Sequence, residues 1–166
     1  MNLNQTEITK DLANKRLLIT RSFNASLDTV WRAWSEQTLL DQWWAPRPFR
    51  AETKRMDFVA GGTWHYCMVG SKGEHHWCRM DFIDVVPKVY FTGRDAFCDE
   101  AGNVSTDLPR THWRTSFQEL DGKTNVEVEV AFNNVDEIEK IIEMGFKEGL
   151  SAGHRNLDEL LVRLEQ

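Results

Sequence analysis

A chain of 166 residues with 41% hydrophobic content can bury one core and lies far from a disordered composition. Its net charge of −6, without a basic stripe, argues against a nucleic-acid surface, and apolar runs of only a few residues leave nothing to span a membrane. Cys67, Cys78 and Cys98 show no C-x-x-C spacing, which argues against a disulfide framework or zinc knuckle. With no signal peptide in the polar first residues, the expected location is the cytoplasm.

Residues 1–14 read as a polar leader, and residues 15–166 as a single domain. Residues 16–23, rich in β-branched and aromatic side chains, predict a first strand. Asn24 or Ser26 can cap a following helix, in which Leu27, Val30, Trp31 and Trp34 recur at helical spacing. A second short helix over residues 38–43 is stopped by Pro46 and Pro48. Six strand-like segments follow, at 49–58, 63–69, 75–85, 89–97, 111–120 and 123–132. The Asp121-Gly122 pair between the last two is a hairpin signal, and Val126, Val128, Val130 and Phe132 then alternate with polar residues, so one face of that strand is buried.

Residues 135–165 read as one long helix, with Ile138, Ile141, Ile142, Gly145, Gly149, Leu157, Leu160, Leu161 and Leu164 at a period near 3.6. Gly145, Gly149 and Gly153 are spaced by four on one face of it. A glycine inside a helix costs roughly 1 kcal/mol relative to alanine, so such a stripe implies a close neighbour: a backbone, a sheet or a ligand. A strand, two short helices, six strands and a long helix make an α+β fold in which the helix lies across the apolar face of an antiparallel sheet.

Strand alternation puts Trp64, Tyr66 and Met68 on one face, and Trp113, Thr115 and Phe117 on one face. If those faces are concave, an apolar cavity with a few polar groups results; the alternative is ordinary core. The Trp43-Trp44 pair reads as an anchor for the short helices. His75 and His76 point to opposite sides of a strand, and neither H-x-x-x-H nor H-E-x-x-H occurs, so no metal is expected. There is no G-x-S-x-G elbow and no phosphate-cradling loop, so no cofactor and no catalytic residue is nominated. Charged strand residues such as Arg79, Asp81, Asp84, Arg94 and Asp95 are expected to face solvent. His112 and Arg114 are the polar groups nominated for a cavity.

Leu39-Leu40-Asp41-Gln42-Trp43-Trp44-Ala45-Pro46 resembles the tandem-tryptophan motif of homologues of the heat-shock chaperone ATPase activator, in the START-like, helix-grip (SRPBCC) superfamily. The resemblance continues through Asp57-Phe58-Val59-Ala60-Gly61-Gly62-Thr63-Trp64 and Ile83-Asp84-Val85-Val86-Pro87. It extends to Gly145-Phe146-Lys147-Glu148-Gly149 and Leu157-Asp158-Glu159-Leu160-Leu161. It implies a curved antiparallel sheet wrapped around the C-terminal helix over residues 15–166, with a ligand cavity between them. Gly93 and Leu150 stand where relatives often carry aromatic residues, and both are expected to enlarge that cavity. The pocket candidates are Trp64, Tyr66, Met68, Phe91, Gly93, Trp113, Thr115 and Phe117 on the strands, with Gly145, Gly149 and Gly153 on the helix.

The leading expectation is a non-catalytic domain that binds a small, largely apolar molecule. The alternatives are a chaperone-binding module of the ATPase-activator kind, and a polyketide cyclase-like or hydrolase-like enzyme. Nucleic acid and membrane are not expected partners; the oligomeric state is left open, a homodimer included.

Overall fold

The computed structural model describes residues 5–165. Eight strands form one antiparallel sheet: β1 (Glu7–Asp11), β2 (Arg16–Phe23), β3 (Arg50–Met56), β4 (Thr63–Val69), β5 (His75–Val86), β6 (Tyr90–Phe97), β7 (Thr111–Leu120) and β8 (Lys123–Ala131). Their spatial order is β1-β2-β8-β7-β6-β5-β4-β3. Helices α1 (Leu27–Ser35) and α2 (Gln37–Trp43) separate β2 from β3, and α3 (Val135–Glu143) and α4 (Phe146–Leu164) close the chain. This is the curved sheet and C-terminal helix of a helix-grip fold, as expected.

Local signals act where the sequence placed them. Ser26 caps α1, its hydroxyl accepting from the Thr29 N–H at 3.3 Å. Asp121 and Gly122 both take positive φ, 55° and 77°, the backbone that a two-residue hairpin between paired Leu120 and Lys123 requires. The core lies between the concave sheet face and the helices. Leu17, Ile19, Phe23, Val126, Val128 and Val130 from β2 and β8 meet Val30, Ala33, Trp34, Leu40 and Trp43 from α1 and α2, and Leu157, Leu160 and Leu161 from α4.

Two expectations are corrected. Of the stretch read as a polar leader, residues 1–4 lie outside the described residues, but Glu7–Asp11 is an edge strand paired with β2. An edge strand with mostly exposed side chains needs no apolar alternation, so its sequence carries no strand signal. The C-terminal helix is also not continuous. Gly145 adopts φ +93°, and its N–H reaches back to the Ile142 carbonyl at 3.0 Å, ending α3 in a left-handed cap before α4 begins.

The glycine stripe therefore resolves into three roles. Gly145 is a turn. Gly149 lies in α4 with room beside it, since a Cβ there would meet only Pro46 Cγ, at 3.8 Å. Gly153 is a close contact: a Cβ would sit 3.2 Å from the Trp44 carbonyl oxygen and 3.4 Å from that of Trp43. One turn on, buried Asn156 donates from Nδ2 to the carbonyls of Ala45 at 3.1 Å and Trp43 at 3.4 Å. Helix α4 is thus seated on the C-terminal end of α2, whose last carbonyls lack helical partners.

The two interior glycines should then respond in opposite ways. Gly149→Ala is expected to raise stability by up to about 1 kcal/mol through helix propensity. Gly153→Val should lower it by about 1–3 kcal/mol through overpacking against backbone. Urea denaturation of both variants checks the pair; equal effects would remove the distinction.

Candidate ligand cavity

Inward-facing residues of β4 to β7, with one side of α4, border two spaces. The inner one, about 30 Å³, holds little more than a water and is walled by Trp34, Trp64, Met80, Phe82, Phe91, Thr115 and His154. The outer one is a cleft broadly open to solvent and measures about 360 Å³. Tyr66, Met68, Cys78, Asp95 and Phe97 line its sheet side, and Ile141, Met144, Gly145, Phe146 and Gly149 its helical side. Trp44, Trp113 and Leu150 border both spaces and form the partition.

The partition is braced by aromatic contacts and indole hydrogen bonds. Trp44 stands edge-on to Trp64, with ring centroids 5.5 Å apart, and donates its indole N–H to the Tyr66 hydroxyl at 3.0 Å. Tyr66 stacks on Trp64 at 4.0 Å. Trp113 leans on Phe146 at 6.0 Å and donates to Thr111 Oγ1 at 3.0 Å. Indoles in such a wall keep their one polar atom satisfied while presenting ring faces to the cavity.

The candidates named from sequence divide accordingly. Tyr66, Met68, Trp113, Gly145 and Gly149 line the outer cavity, and Trp64, Phe91 and Thr115 the inner space. Three line neither. Phe117 is buried against Trp31 and Trp34, with centroids 5.2 and 5.4 Å away. Gly153 is filled by the end of α2. Gly93 does not enlarge the cavity: a Cβ there would stand 2.6 Å from Met80 Sδ and 2.9 Å from the Asp81 carbonyl, so the glycine makes room for the methionine. Leu150, the other departure, does border both spaces.

His112 and Arg114 are misplaced by the expectation above. Both are exposed on the convex face, alternating with buried Trp113 and Thr115, and the Arg114 guanidinium lies 4.1 Å over the Tyr90 ring. Asp95 is the converse, a charged strand residue that faces inward. Because Gly93 pairs with inward Trp113, residues 91, 93, 95 and 97 share the concave side. That register was the available signal for Asp95, and strand pairing was needed to read it.

Asp95 Oδ1 accepts from the Thr111 N–H at 2.9 Å and from the Thr111 hydroxyl. Burial nevertheless raises its pKa above the ordinary 3.8, the Thr111 bonds opposing the shift. Burial also pushes the Cys78 thiol up to about 12 and the Tyr66 phenol well above 10, so both remain protonated. His154 is 2% exposed, with Nδ1 2.7 Å from the Thr6 hydroxyl. Burial, aided by the Arg21 charge, lowers its pKa to about 3. Among the described residues no cluster of three His, Cys, Asp or Glu side chains stands close enough to hold a metal. No helix among them is long and apolar enough to cross a membrane.

The chain belongs to the Activator of Hsp90 ATPase homolog 1-like (AHSA1) family, whose sequence profile matches residues 24–162. Among solved structures it is similar to protein Ms6760 from Mycobacterium smegmatis at 29% identity and TM-score 0.87, over 95% of this chain and 96% of that one. A protein from Arthrobacter aurescens is 25% identical at TM-score 0.88, over 95% and 91%. The AHSA1 protein from Silicibacter pomeroyi, 20% identical at TM-score 0.72 over 91% and 99%, shares the fold. No curated protein matches the chain.

His154 generates a pH prediction. In the unfolded chain the imidazole takes up a proton near its ordinary value of 6.5, whereas in the fold it does so only near 3. Between these values the unfolded state binds more protons, so stability is full above pH 6.5 and falls with acid, by up to about 1.4 kcal/mol per pH unit for one such group. His154→Leu should flatten that slope. Urea denaturation from pH 7 to pH 4 measures it, and an unchanged slope would show that His154 is not its source.

Proposed function

We propose that this protein binds a small, largely apolar molecule in the outer cavity, between the sheet and the α3–α4 junction. The carrying observation is a space of about 360 Å³ walled by aromatic and aliphatic side chains and roofed in part by Gly149, where α4 has no side chain. Small-molecule sites occupy roughly 300–1,000 Å³ and are built in this way, mostly apolar with a few placed polar groups. Membership of the AHSA1 family supports a helix-grip binding domain. The position of Asp95, Tyr66 and Cys78 supplies the polar groups. Tyr66 and Cys78 are held neutral, which favours recognition over attack on a substrate.

Titration with the neutral fluorophore N-phenyl-1-naphthylamine is expected to give saturable enhancement. Gly149→Leu, which projects a side chain into the cavity, should weaken binding by about tenfold or more, since filling the site displaces the ligand. Its thermal midpoint should not fall. Unchanged affinity in a folded Gly149→Leu variant would overturn the proposal.

A further inference from the structure

The cavity's polar chemistry is lopsided. Of the side chains lining it, only Tyr66, His76, Cys78 and Asp95 ionise, and no lysine or arginine is among them. Burial keeps the phenol and the thiol protonated, and His76 sits exposed at the rim, its ring 5.8 Å from Phe49. The wall therefore offers one carboxyl group, that of Asp95, and no lysine or arginine side chain; the Arg110 charge, from outside the lining, opposes the rise in the Asp95 pKa.

That group is half-engaged. Both direct bonds from Thr111 fall on Asp95 Oδ1, with the Trp113 indole close enough to lower its pKa, while no short hydrogen bond reaches Oδ2 among the described residues. Arg110 donates from Nε to the backbone carbonyl of Asp95 at 3.2 Å and from Nη2 to Asp81 and the Arg94 carbonyl, so it forms no ion pair with the Asp95 carboxylate, although its charge lowers the Asp95 pKa. Lys140 lines a small adjoining pocket with Asp95 but forms no ion pair with it. Asp95 is half-buried and Oδ2 is reached by solvent, so a cationic donor that replaces that solvent gains a charge-assisted hydrogen bond. Trp113 and Phe97 flank the same wall, and aromatic faces attract cations.

We propose that the outer cavity selects arylalkyl amines, with the alkylammonium group on Asp95 Oδ2 and the rings among Trp44, Trp113 and Phe146. The inference rests on the binding reading above and gives it a ligand class. The cavity volume suits two or three fused rings with a short aminoalkyl arm. An aromatic carboxylate or a fatty acid of equal size is rejected, because its anion finds no cation in the wall and faces Asp95 instead. Burial raises the pKa of Asp95 even against the Thr111 and Trp113 hydrogen bonds and the nearby Arg110 charge, and an ammonium ligand relieves that desolvation.

The test is displacement of N-phenyl-1-naphthylamine at pH 7 by three matched compounds: 2-(2-naphthyl)ethylamine, 2-(2-naphthyl)ethanol and 2-naphthylacetate. The amine should displace at least about tenfold better than the alcohol, with the carboxylate weakest. In Asp95→Asn the ratio of amine to alcohol affinity should fall toward unity and the carboxylate should gain. An amine no better than the alcohol, or a ratio unmoved by Asp95→Asn, overturns the inference while leaving the binding reading intact. If the neutral fluorophore itself fails to bind, the binding reading falls and this inference with it. If Asp95→Asn does not fold, the wild-type ranking of the three compounds decides alone.

Discussion

The seating of α4 on the end of α2 is the contact from which the interior takes its dimensions. Gly153 lets the helix approach the carbonyls of Trp43 and Trp44, and Asn156 binds the chain as it leaves α2. The Trp43 and Ala45 carbonyls receive their hydrogen bonds from Asn156, so the approach is fixed by hydrogen bonding as well as by shape. With α4 held at that height, Trp44 is wedged between helix and sheet, edge-on to Trp64 and hydrogen-bonded to Tyr66. The same contact therefore seals the inner core and sets the floor of the outer cavity.

A second constraint joins α4 to the concave side of β2. Arg21, 3% exposed on β2, pairs with Asp158 and lies 4.7 Å over the Phe23 ring, although its Nε has no partner among the described residues. Such a pair holds position more than it adds stability, because desolvating the guanidinium offsets much of its attraction to the part-exposed Asp158 carboxylate. Between the α2 contact and this pair the C-terminal half of α4 is clamped. Its N-terminal half, around Gly149, spans the cavity with few side chains beneath it. A rigid end and an open end on one helix are how the fold combines a packed core with a cavity.

The cavity is chemically simple because burial acts on each polar group in the same direction. Desolvation disfavours the charged form of the phenol, the thiol and the carboxyl alike, and disfavours protonation of His154 on the core side. Asp95 keeps two bonds from Thr111, which oppose that pressure, so it is the wall's distinctive group.

What the sequence determined was whatever depends on near neighbours along the chain. Strand limits at 63–69 and 111–120, the Ser26 cap, the Asp121-Gly122 hairpin and the side chains that share a face on β4 and on β7 follow from alternation and turn chemistry, which act over a few residues. The tandem-tryptophan and double-glycine motifs carried the family. The tertiary structure decided what depends on two segments meeting. Three glycines at one spacing became a turn, a cavity wall and a helix seat, because only their distant neighbours distinguish them. Asp95 turned inward and His112 and Arg114 outward because strand register, a long-range pairing, sets which side of the sheet is concave.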